Sequence, residues 1–195
     1  MAERPALRVL LVSAFDAPCI DEDAAILAGR FRLRRATGSG AVALLRAAAG
    51  VATTDIVYCW FLSVYGAAAV LLGRLFGRRC IVVIGGVDVA RDPDSGYGLW
   101  LSPWKAMLAR RALRSADLVL VVAESLGDDA KRLAGYDGVN IRYLPTGYDP
   151  AVWTPEGAAD PRAPGVLCVA SVSGAARLSV KGIDLLVEAA RRIPE

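Results

Sequence analysis

The stretch Ile56-Val57-Tyr58-Cys59-Trp60-Phe61-Leu62-Ser63-Val64-Tyr65-Gly66, continued by an Ala/Leu run to Gly73, carries no formal charge. Its reading decides the fold. As one helix it would barely reach the minimum length for crossing a membrane. The residues argue otherwise. Ile56 to Trp60 is a β-branched and aromatic run of strand length, Ser63 and Gly66 interrupt, and the remainder up to Phe76 suits a buried helix. Strand, short loop and buried helix is therefore the expected order.

Working outward, the same alternation recurs. Cys80-Ile81-Val82-Val83-Ile84 reads as the next strand and closes on Gly85-Gly86. Pro103 to Arg114 reads as a helix, Leu118 to Val122 as a strand, Ser125 to Leu133 as a helix and Asn140 to Leu144 as a last strand. Upstream, Arg8 to Ser13 is a continuous apolar strand of the buried parallel type. Asp21-Glu22-Asp23 opens a helix through Leu27, Phe31 to Arg35 alternates like an edge strand, and Ala41 to Ala49 is a helix. Strands alternating with helices predict right-handed crossovers and a parallel sheet covered on both faces. The expected class is α/β, a Rossmann-like doubly wound parallel sheet. Ligands in such sheets bind beyond the carboxyl ends of the strands, so the loops after Ser13, Trp60, Ile84 and Val122 are the candidates.

The 195 residues are 55% hydrophobic and 22% charged, with a net charge of +3. That composition supports a sizeable core and gives no electrostatic case for nucleic acid as a partner. There is no histidine, which removes a Ser-His-Asp triad and a histidine base. Cys19, Cys59, Cys80 and Cys168 form no CxxC pair, which argues against a metal centre; Cys59 and Cys80, inside strand-like runs, read as buried free thiols suited to a reducing cytosol. Met1 to Arg8 is polar and contains no signal-peptide core. Prolines and glycines crowd Pro145 to Gly165, which reads as a linker. Beyond it come a strand, Val166 to Ala170, a loop, Ser171 to Val180, and a helix, Gly182 to Arg192. The expected organisation is a domain over 1–150, a linker over 151–164 and the opening of a second, truncated Rossmann-like domain over 165–195, since one strand and one helix make no core.

Three segments carry candidate chemistry. Gly85-Gly86-Val87-Asp88 lets a ligand approach the backbone and offers Asp88 to sugar hydroxyls; on spacing alone it is equally a turn capped by an aspartate. Thr146 and Gly147 lie where the sheet ends and the linker begins, as a cleft-lining hinge or a plain turn. Arg177 and Lys181 precede a helix start at Gly182, a diphosphate-binding arrangement or two solvated cations. That segment is not a Walker A loop, and the first strand lacks the dinucleotide fingerprint, which argues against NAD or FAD.

Taken together, Gly85-Gly86-Val87-Asp88-Val89-Ala90, Ala116-Asp117 with Ala123-Glu124-Ser125, Pro145-Thr146-Gly147-Tyr148-Asp149, and Arg177 with Lys181-Gly182-Ile183-Asp184 resemble, in order and spacing, segments of the family 4 retaining glycosyltransferases. The resemblance implies a GT-B fold, whose N-terminal domain is the first sheet here. It implies hexosyltransferase-like transfer from a nucleotide diphosphate sugar with retention, without metal or other cofactor. Arg177 and Lys181 would neutralise the leaving diphosphate, and Gly85, Gly86, Asp88, Thr146 and Gly147 would line the substrates. Departures are Gly85 where the family often has His, Ala14 to Pro18 where it often has paired glycines, and Thr146 in place of Asn. The family's paired glutamates, far into its second domain, have no counterpart here, so the chain alone is expected to be inactive. The acceptor, whether glycan, lipid or small molecule, is not readable. The helix Trp104–Arg114, apolar and basic, is expected to allow peripheral contact with the inner membrane face of a cytoplasmic enzyme, or else to be an ordinary core-facing helix. The rival readings are a non-catalytic sugar- or nucleotide-binding module and another GT-B enzyme such as a nucleotide-sugar epimerase.

Overall fold

The computed structural model describes residues 6–151, 167–170, 172 and 175–192. Two compact units are present, one of Met1–Arg91 with Gly98–Thr146 and one of Asp92–Tyr97 with Gly147–Glu195.

The first unit follows the alternation of apolar runs closely. Its elements are β1 (Arg8–Ser13), α1 (Pro18–Ala28), β2 (Arg32–Thr37), α2 (Gly40–Ala52), β3 (Ile56–Trp60), α3 (Val64–Leu75), β4 (Arg79–Ile84), α4 (Pro103–Ser115), β5 (Leu118–Val121), α5 (Glu124–Ala134) and β6 (Ile141–Tyr143). The uncharged stretch is thus β3, a loop and α3, and among the described residues no helix is long and apolar enough to cross a membrane. All ladders are parallel, in the order β2-β1-β3-β4-β5-β6. This is a doubly wound α/β sheet of Rossmann type, as expected. β1 pairs with both β2 and β3, so the winding reverses beside it, which makes the carboxyl ends of β1 and β3 the topological switch point.

Period-two alternation divides the sheet into two faces. Leu10, Val12, Val57, Cys59, Val82, Ile84, Val119 and Val121 form one core with residues of α2, α3, α4 and α5. Leu11, Trp60 and Val83 form the other with Ile20 and Ala24 of α1. A polar clamp holds α1 there: Tyr58 Oη and Trp60 Nε1 both donate to Asp23 Oδ2, each at 2.7 Å. Burial and the Asp23 carboxylate push the Tyr58 hydroxyl far above its ordinary range.

Helix α3 sits close to the sheet because its inner residues are small. A Cβ on Gly66 would lie 2.3 Å from Cys59 Sγ. Gly66→Ala is therefore expected to destabilise by about 1–2 kcal/mol by overpacking, despite alanine's better helix propensity. In a Cys59→Ala background, urea unfolding should show less than half that penalty. An equal penalty in both backgrounds would mean that the thiol is not the obstacle.

The second unit keeps the expected helix over Gly182 to Arg192 and departs from expectation before it. Residues 167–170 form no strand; Leu167 and Val169 are 87% and 88% exposed, and a β-run without a paired neighbour has no ladder to join. Val166 and residues 152–164 of the expected linker lie outside the described residues. The expected loop before Lys181 contains a helix, α6 (Ala175–Val180), followed by α7 (Ile183–Arg191). Ala-Ala-Arg-Leu is a helix-favouring run, which outweighed the reading of this segment as irregular.

Candidate functional site

Three loops meet at the carboxyl edge beside the switch point. The loop after β3 begins with Phe61, whose φ of 56° is left-handed, an uncommon conformation for a bulky side chain. Its N–H donates to Val83 O at 3.0 Å and its carbonyl accepts from Ser63 N at 2.6 Å. The ring packs against Trp60, centroids 5.2 Å apart, and against Phe15 of the loop after β1 at 4.9 Å. Phe15 is 47% exposed, so the aromatic pair reaches solvent.

The third loop follows β4. Gly85 leaves the space that the Phe61 ring occupies: a Cβ there would lie 2.1 Å from Phe61 Cε1. Gly86 has φ 126°, open to glycine alone in practice. Asp88 follows in a short helical turn, Val87–Val89, and is 1% exposed. Its carboxylate accepts from Gly86 N at 2.8 Å, Leu62 N at 3.1 Å and Gly85 N at 3.4 Å. Burial pushes this carboxyl above the usual range, against those backbone donors. The sequence allowed Asp88 either to meet sugar hydroxyls or to cap the turn. In the structure it caps the turn and ties the β3 and β4 loops together. Its own carbonyl accepts from Trp100 Nε1 at 2.7 Å, which extends the brace to the turn Leu99–Leu101.

Other edge contacts complete the rim. Ser13 Oγ donates to Thr37 Oγ1 at 3.3 Å, Arg35 pairs with Asp16 at 2.9 Å and Asp21 at 2.7 Å, and Gly40 N donates to Tyr65 Oη at 2.7 Å. Thr146 is exposed just past β6, where Leu144 N still donates to Val121 O. Gly147 is exposed and belongs to the second unit.

Within that second unit, Arg177 and Lys181 are four residues apart on α6 and the turn after it, and Lys181 N donates to Arg177 O at 3.1 Å. Spacing of four places both on one side of the helix. The Arg177 guanidinium lies 5.4 Å from the Tyr97 ring centroid. The start of α7 already carries a carboxylate: Asp184 accepts from Ser179 Oγ at 2.6 Å and from Leu185 N at 3.0 Å, which holds it below the usual range.

Helix α4 keeps two of its cations at home. Arg110 donates to Leu133 O and stacks on Trp100, and Arg114 donates to Ala134 O and Gly135 O, the carbonyl end of α5. Lys105 and Arg111 remain beside exposed Trp104 and Met107.

Phe61 and Phe15 were not singled out from sequence. Nothing in Phe61's residue type foretells its left-handed backbone; the only signal was the position of both residues just past the two switch-point strands. No curated protein matches this sequence. The family model of the glycosyl transferase 4-like domain matches residues 8–147, from the start of β1 to just past β6, and the chain belongs to that family.

Proposed function

We propose that the chain is the acceptor-side part of a retaining, hexosyltransferase-like glycosyltransferase using a nucleotide diphosphate sugar, with no metal ion required. In the reaction, the bond from the anomeric carbon to the diphosphate oxygen breaks and one to an acceptor oxygen forms. The acceptor's proton leaves with the nucleotide diphosphate. The observation that supports the reading most is the braced glycine turn and aromatic pair at the switch point, inside the stretch that the family model matches. Gly86, with open space where a Cβ would stand, would let the sugar and acceptor approach the backbone, Gly85 would line the site by seating the Phe61 ring, and Asp88 would be a positioning residue. Thr146 and Gly147 would line the hinge. Arg177 and Lys181 would neutralise the leaving diphosphate, with the second unit as the opening of a donor-binding domain. A cytoplasmic location and a peripheral membrane contact through α4 belong to the same reading.

The test is calorimetric titration of the chain with UDP, GDP and ADP. At least one is expected to bind. The Arg177→Gln/Lys181→Gln variant should weaken that binding tenfold or more, since each charge-assisted contact contributes about 1.5–3 kcal/mol. No binding, or binding unchanged in the variant, would remove the diphosphate role and favour a sugar-binding module without transferase chemistry. Asp184 at the start of α7 is the observation on that side.

A further inference from the structure

Helices α2, α3 and α4 pack side by side on one face of the sheet, and none contains an Asp or Glu, although the chain has 20 acidic residues. Of their six cations, Arg74 pairs with Asp117 at 2.6 Å and Arg110 and Arg114 serve carbonyls at the end of α5, which among the described residues leaves Arg46, Lys105 and Arg111 for a partner. The next helix on that face, α5, differs in holding Glu124, Asp128 and Asp129, and α1, on the opposite face, holds Asp21, Glu22 and Asp23. The acid-free layer also exposes large apolar side chains on all three helices. Val42 and Leu45 of α2 are 60% and 68% exposed, Leu75 of α3 is 79%, and Trp104 and Met107 of α4 are 56% and 46%. Val42 and Leu45 stand three apart on the side of α2 opposite its buried Ala43, Ala47 and Gly50.

We infer that the outer face of this three-helix layer is a docking surface for a bilayer rich in anionic lipid, and that the acceptor is therefore carried on a lipid. Charge complementarity selects this occupant. A face whose helices carry no acidic residue of their own, with Arg46, Lys105 and Arg111 set among Trp, Met, Leu and Val, combines the two contributions that hold interfacial helices on membranes. All three helices start at the carboxyl edge of the sheet, so Val42 and Trp104, near those starts, put the bilayer beside the loops of the candidate site. The inference deepens the transferase reading by naming the acceptor class, and it extends the contact from α4 to the whole layer.

The experiment is co-sedimentation of the full chain with vesicles of phosphatidylcholine alone and with added phosphatidylglycerol. Binding is expected only to the anionic vesicles and should fall as salt rises. Val42→Ser/Leu45→Ser on α2 and Trp104→Ser/Met107→Ser on α4 should each reduce the bound fraction severalfold, and Arg46→Gln/Arg111→Gln should do the same at low salt. These side chains are exposed, and unchanged circular dichroism and thermal midpoint would confirm intact variants. Equal binding to both vesicle types, or wild-type binding by the α2 variant, would overturn the inference. So would a dimer in light scattering that the same substitutions dissociate, because a second copy would then cover the face. Nucleotide titration separates the two ideas. Vesicle binding without nucleotide binding leaves the surface standing and the transferase reading failed; the reverse removes the surface alone.

Discussion

Asp88→Ala should lower the free energy of unfolding by about 2–4 kcal/mol, a large fraction of the roughly 5–15 kcal/mol that domains possess. The carboxylate is buried, and three backbone N–H groups, of Leu62, Gly85 and Gly86, depend on it. The buried Leu62 donor left without an acceptor costs about 1–3 kcal/mol, those of exposed Gly85 and half-buried Gly86 cost less because water can reach them, and the losses are not additive because the loops relax together. Asp88→Asn should fall between: its amide oxygen can serve Leu62 and Gly85, which share Oδ2, but its NH2 then faces the Gly86 donor. The pH dependence has a definite sign. Burial raises the native carboxyl above its unfolded value, so over that window the native state binds more protons and stability falls as pH rises. Asp88→Asn should lack that slope. Urea unfolding followed by tryptophan fluorescence measures both. A loss under about 1 kcal/mol for the alanine variant would show the brace to be dispensable.

The sheet was legible because its strands are buried on both faces and read as unbroken apolar runs. β1 and β3 occupy the residues expected, Arg8–Ser13 and Ile56–Trp60. The helices shift only at their ends. α1 begins at Pro18, not Asp21, because a proline belongs in a helix's first turn, where its missing N–H is no loss. The tail was not legible in the same way. Leu167 to Ala170 has strand-type residues, but a strand exists only as a pair, and pairing is a property of the neighbour.

The candidate site was legible in its glycines and opaque in its geometry. Gly85-Gly86 announced a close approach, yet the sequence could not say that the approaching group is the protein's own Phe61 ring. Asp88 announced a carboxylate near the edge, yet which way it points depends on the amide of Leu62, 26 residues away in the chain. Arg177 and Lys181 announced paired cations. Their four-residue spacing could be read as a shared side only once α6 was known to be a helix.

The Phe61–Gly85 pair yields the second large effect. Gly85→Ala should destabilise by about 2–3 kcal/mol, because the new Cβ would overlap the ring of a residue already held in place. Besides Cε1 at 2.1 Å, Phe61 Cδ1 and Cζ would both lie 2.8 Å away, so no small rotation clears the contact. The ring cannot withdraw easily. Phe15 and Trp60 pack against it, and the left-handed backbone of Phe61, which itself costs about 1–2 kcal/mol, is pinned by hydrogen bonds to Val83 and from Ser63. Such strain persists only where the surroundings over-determine it, and it tends to collect at ligand-handling loops. Phe61→Gly removes the ring and the strain together, so Gly85→Ala in that background should cost less than about 1 kcal/mol. A double-mutant cycle by urea unfolding measures the difference. If alanine at position 85 carries the same penalty with and without the ring, the obstacle is the β4 turn itself. Phe61 would then be held left-handed by its hydrogen bonds alone, and the aromatic pair would lose its claim to shape the site.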